Sequence, residues 1–194
     1  MKRILAAAAL TLVALSSNAQ LSATGAPITF AGFDPAPTFI ALPTFTTGLL
    51  NGTVNNATGP VTITATFLGK EAIDTDTFAF SLGGITLLNT GALGSTSSTV
   101  VGTGAVGFTF LDMTRGNATA SYAVLTQGGV PFSTGPYQLL LGFNDGLNVD
   151  GDYDDMVIGL SVTAVPEPES YALMLAGLGA VGFIARRRRK PVSA

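Results

Sequence analysis

The chain has 194 residues, 47% of them hydrophobic, and a formal net charge of −3. It lacks His, Cys and Trp, which excludes Ser-His and Cys-His nucleophile pairs, the commonest zinc ligand and disulfide staples. Between Gln20 and Val165 only Lys70 and Arg115 stand against ten acidic residues, a net of −8, so this body repels nucleic acid and other polyanions and suits divalent cations better.

Lys2 and Arg3, the apolar run Ile4 to Leu15 and Ser16-Ser17-Asn18-Ala19 follow the order of a secretory signal peptide, with cleavage expected after Ala19. The remaining body, residues 20–165, is then exported and is long enough for one domain with a real core.

From Ile28 to Gly59 three prolines and isolated aromatics predict an opening strand, then an ordered loop or edge strand, because proline cannot donate to a ladder. Pro60 to Phe67 alternates Val61, Ile63, Ala65 and Phe67 with threonines, the pattern of a half-buried strand. Asp76 to Leu82 repeats it with Phe78 and Phe80, and Gly83-Gly84 turns the chain into Ile85 to Leu88. Further strands are predicted over Thr99 to Phe110, Thr119 to Leu125, Tyr137 to Phe143 and Met156 to Thr163. Gly, Asn, Ser and Thr separate them, as turns require. No body segment carries a long helical stripe.

Five acids crowd the stretch before the last strand: Asp145, Asp150, Asp152, Asp154 and Asp155. Alternate residues there can turn oxygens to one side of a loop, the hard donors that calcium takes six to eight at a time. They are the candidate calcium ligands. The segment is no EF-hand, since Asp155 and Ser161 replace the Gly and Glu which that loop requires. A tight turn whose Asp side chains cap their own backbone explains the same composition.

At the C-terminal end, Tyr171 to Ala185 is an apolar run of 15 residues, followed by Arg186, Arg187, Arg188, Arg189 and Lys190. As a helix it spans about 22 Å against a hydrocarbon core of roughly 30 Å. Snorkelling arginines and a thinned bilayer would cover the difference, with the basic run as the cytoplasmic stop. Pro166-Glu167-Pro168 just before it forms a stiff, solvated segment open to a protease. Nucleic-acid binding by the basic run is at odds with export.

The order Pro166-Glu167-Pro168, apolar helix, Arg cluster resembles the PEP-CTERM sorting tail of exported proteins from Gram-negative bacteria that make exopolysaccharide. The resemblance implies recognition of those three residues by an exosortase, a membrane-embedded cysteine protease, and removal of residues beyond them. Asp76-Thr77-Phe78-Ala79-Phe80 is also similar to the F-x-D-x-F subgroup, with Asp74 in place of its first Phe.

These readings combine into an all-β exported domain, an antiparallel sandwich or jelly-roll-like module over residues 20–165. A signal peptide (1–19) and one short C-terminal transmembrane helix (171–185, within a sorting segment 166–190) flank it. The expected function is a non-catalytic cell-surface or extracellular-matrix protein, held transiently at the inner membrane by its helix and then sorted and cleaved. Its expected partners are the secretion machinery, an exosortase, and exopolysaccharide or matrix proteins, with calcium as the candidate cofactor. Two alternatives remain open: a secreted glycan hydrolase using two Asp carboxylates, and a permanently anchored single-pass envelope protein.

Overall fold

A computed structural model of the chain describes residues 20–28, 33, 39, 40, 42–116, 120–146, 152–165 and 168–188. The signal peptide, Asp150, Pro166, Glu167, Arg189 and Lys190 lie outside the described residues. In chain order the strands are β1 (Leu21–Ile28), β2 (Thr47–Asn56), β3 (Val61–Gly69), β4 (Asp76–Phe80), β5 (Leu87–Leu88) and β6 (Thr96–Val101). There follow β7 (Gly104–Ala105), β8 (Phe108–Asp112), β9 (Ser121–Thr126), β10 (Leu139–Asn144), β11 (Met156–Ala164) and a helix, α1 (Pro168–Arg188).

Every pairing is antiparallel, and the strands form two sheets, neither of which closes. The larger runs β1-β2-β9-β10-β11-β3-β6, with β7 also paired to β2. The smaller runs β5-β4-β8. Alternation sets the faces: along β3, Val61, Ile63, Ala65 and Phe67 are buried while Thr62, Thr64 and Thr66 are only partly covered.

The expected single strand Thr99 to Phe110 is in fact β6, β7 and β8. Gly102, Gly104 and Gly107 break it, and Gly104 takes a φ of +115°, which ladder residues with side chains avoid. The expected loop-rich stretch after Ile28 contains a full ten-residue strand, β2, in the interior of the large sheet.

One face of the large sheet packs on the small sheet. Ile63, Phe67, Leu141, Phe143, Met156 and Ile158 meet Phe78, Phe80, Leu87 and Phe110 in one core. The opposite face buries Leu68, Leu125, Leu140 and Val157 beneath Phe33, Phe39, Ile40 and Phe45. Phe33, Phe39, Ile40 and Phe45 thus serve as a cover, anchored by the hydrogen bond from Ile40 N to Leu68 O at 2.9 Å. Burial on both faces explains why β10 is buried throughout and runs apolar from Leu139 to Phe143 instead of alternating.

The tail requires a correction. α1 has 21 residues, yet among the described residues no helix is long and apolar enough to cross a membrane. Its apolar run stops at 15 residues, is diluted by Gly177, Gly179 and Gly182, and is closed by arginines at one end and Glu169 at the other. The expected transmembrane helix, the membrane as a partner through it, and transient inner-membrane anchoring by it are therefore not supported. Within α1, the side chains from Tyr171 to Arg187 are exposed.

Candidate functional site: carboxylates between the sheets

The sequence DTFAF of β4 directs Asp76, Phe78 and Phe80 to one face, and FTFLD of β8 does the same with Phe108, Phe110 and Asp112. The antiparallel register sets Asp76 opposite Asp112 and Phe78 opposite Phe110. Two carboxylates therefore extend an aromatic row and share its burial: Asp76 is 0% and Asp112 is 1% exposed. Like charges directly opposite on a ladder repel.

From the large sheet, Phe143 on β10 stacks on Phe110, and two residues later Asp145 arrives beside Asp112. Asp74, just before β4, completes the group. One carboxylate oxygen from each of Asp74, Asp112 and Asp145 lies within 4.8 Å of the others. Arg115 serves all three: its Nη2 pairs with Asp74 and lies 3.6 Å from Asp145 Oδ2, and its Nε lies 3.9 Å from Asp112 Oδ2.

Local hydrogen bonds fix these groups. Asp112 Oδ1 accepts from Thr114 N at 2.7 Å and Arg115 N at 3.1 Å, closing the turn that carries the arginine back over the acids. Buried Asn89 donates Nδ2–H to Asp76 Oδ2 at 2.8 Å and to Asp74 O at 2.9 Å. Asp76 Oδ1 is equally buried and has no hydrogen-bond partner among the described residues. Burial pushes the Asp76 carboxyl up to about 7, and the charges of Asp145, Asp155 and Asp112 add to this while Lys70 opposes it.

A second group sits alongside. Glu71, Asp152 and Asp154 also bring one oxygen each within 4.8 Å of one another. Glu71 N donates to Asp154 O at 2.9 Å. Between the groups, Asp155 Oδ2 accepts from Asp145 N at 2.7 Å. Burial pushes the Asp155 carboxyl up to about 7 against that hydrogen bond, helped by the charges of Asp145, Asp152 and Glu71.

The acids expected to act as one loop are thus divided. Asp145 joins Asp74 and Asp112, Asp152 and Asp154 join Glu71, and Asp155 links the two sets. The sequence reading missed Glu71, Asp74, Asp76, Asp112, Asn89 and Arg115. A signal existed for two of them: Asp76 and Asp112 occupy the core-facing phase of strands whose other inward residues are Phe.

Both groups can chemically hold a hard metal ion, although neither identifies which. An open pocket of about 260 Å³ among Phe108, Phe110, Tyr122 and Phe143 is lined by no carboxylate. Residues 164–190 match the PEP-CTERM protein-sorting motif, and the match does not extend to the F-x-D-x-F subgroup. No curated protein and no solved structure matches the chain. The tail is similar to a sorting signal, which directs a protein and performs no chemistry, and it marks this chain as an exported protein sorted by its C-terminus.

Proposed function

We propose that this chain is a non-catalytic protein of the cell surface or extracellular matrix, delivered by its tail and loaded with calcium. In this reading residues 1–19 are removed on export. An exosortase then recognises Pro166-Glu167-Pro168 and removes α1 with its basic end, and residues 20–165 persist as the mature body. The match of residues 164–190 to the sorting motif carries the proposal. The absence of His and Cys from the sequence favours a non-catalytic body, as does an aromatic pocket without carboxylates. Calcium is the cofactor suited to Asp145, Asp152, Asp154, Asp155 and Asp150, being a hard cation that accepts many oxygens. Exopolysaccharide and neighbouring matrix proteins are the partners such a destination provides.

Mass spectrometry of the mature C-terminus, on protein recovered from the native host's envelope and medium, tests the sorting. Chains ending near Pro168 support it. Mature protein that always ends at Ala194 rules out exosortase processing.

A further inference from the structure

The pocket of about 260 Å³ opens where β8, an edge strand of the small sheet, faces β2, β9 and β10 of the large one. Its wall is aromatic. Phe108 and Tyr122 are half-buried, meet edge to face with centroids 5.3 Å apart, and lead inward to Phe110 and Phe143. The remaining polar lining, Asn51, Thr109 and Ser121, carries no charge. Asn51 is built into this place. Asn51 and Gly52 on β2 together oppose Gly25 on β1, a bulge in which Asn51 takes a φ of +44°. Tyr122 N donates to Asn51 Oδ1 at 3.1 Å, and the Tyr122 hydroxyl donates to Gly52 O at 3.1 Å, so the bulge and the ring hold each other. With its oxygen committed to a donor, the Asn51 amide keeps Nδ2 outside any hydrogen bond among the described residues.

We propose that this pocket binds one uncharged pyranose unit of a glycan, its C–H face on Phe108 and Tyr122 and a ring hydroxyl accepting from Asn51 Nδ2. The proposal rests on the polysaccharide part of the functional reading and gives that partner a place on the body. Three features of the pocket select the ligand. The weakly positive C–H bonds of a sugar meet the negative faces of aromatic rings, while its hydroxyls need polar partners at the edge. A purely apolar ligand would bury the Asn51 amide without a partner, at a cost. An anionic ligand would find no cation in the lining and a body of net charge −8 around it. Size agrees, since the volume falls just below the roughly 300–1,000 Å³ usual for small-ligand sites and suits a single ring. The pocket is open, so the rest of a chain can run on outside it. A strained asparagine beside the rings is the kind of backbone cost that binding sites retain.

The test is native affinity electrophoresis of the purified full-length protein in gels cast with dextran, galactomannan or xyloglucan, with alginate as the anionic comparison. Retardation by at least one neutral polymer and none by alginate is expected of the parent. Asn51→Asp keeps the acceptor for Tyr122 N and removes the amide donor, and Phe108→Leu keeps apolar volume and removes the ring. Each should weaken retardation about tenfold, with thermal unfolding confirming that both variants are folded. Retardation unchanged in both folded variants overturns the pocket but leaves a polysaccharide partner bound elsewhere. Alginate retarding the parent as strongly as the neutral polymers overturns the choice of an uncharged sugar. No retardation of the parent by any polymer overturns the pocket and the polysaccharide partner together, while sorting by the tail is judged separately from the mature C-terminus.

Discussion

The ring of Phe110 lies parallel to that of Phe143, with centroids 4.9 Å apart and planes at 5°. One belongs to the small sheet and the other to the large sheet. Each stands two residues before an acid of the candidate site, Asp112 and Asp145. The stack therefore sets the spacing at which the two carboxylates meet.

Phe110→Ala should cost about 3–5 kcal/mol, the usual range for emptying a buried aromatic site. Chemical denaturation measures it directly. Phe143 and Phe78, both in contact with that ring, would line the resulting cavity. A loss well below this range would show that Phe143 and Phe78 close over the gap.

Asp76 and Asp155 give the metal-free protein an unusual pH profile. Both carboxyls are raised from 3.8 to about 7 in the folded state. Through this interval the folded protein holds protons that the unfolded chain has released. Their contribution to stability is complete below about pH 4 and is lost as the pH rises through about 7. Unfolding in chelator should therefore show parent protein gaining on Asp76→Asn as the solution is acidified from about pH 7.5 to about pH 4.5. A parent-minus-variant difference that stays flat across this range refutes the burial of that charge.

Asn89 is the neutral strut of the site. Its Nδ2 bridges Asp76 Oδ2 and Asp74 O, and its backbone N donates to Asp76 O at 3.0 Å. Asn89→Ala deletes the side-chain donors while leaving their acceptors buried, and should destabilise by about 1–3 kcal/mol. Equilibrium urea unfolding is the measurement, and a loss well below 1 kcal/mol would mean that water replaces the amide.

Gly142 on β10 has no room for a side chain, because a Cβ there would collide with Tyr153 O. Tyr153 sits between Asp152 and Asp154 with φ +58°, and its backbone is pressed onto the strand. Gly142→Ala should destabilise the protein by roughly 1–3 kcal/mol, as overpacking does, and displace both neighbouring acids from Glu71. Thermal unfolding gives the first effect, and amide exchange at residues 152–155 gives the second.

Much of this was legible in the sequence, and the limits are physical. The alternation in Val61 to Phe67 directly predicts β3, because only a period of two buries one face of a ladder. Asp145, Asp152 and Asp154 announced themselves by proximity along the chain. Asp76 and Asp112 did not, although each stands in phase with phenylalanines. Their meeting depends on β4 pairing with β8 across three intervening strands, β5, β6 and β7, and nothing local encodes that partnership. The role of Arg115 was hidden for the same reason, since a single basic residue in a loop acquires meaning only when a turn folds it over acids gathered from both sheets. In the tail, composition gave the helix, while its length and glycine content removed the membrane span expected of it.

β11 lies inside the large sheet, between β10 and β3, and its end is secured by Val165 N donating to Pro60 O at 3.1 Å. Everything after residue 165 therefore hangs from an interior strand. A pull on this end runs along β11 and meets two ladders in shear, so many hydrogen bonds share the load at once. An end leaving from β1 or β6 would instead peel away one bond at a time. Whatever holds this protein by its C-terminus grips it at its mechanically toughest line.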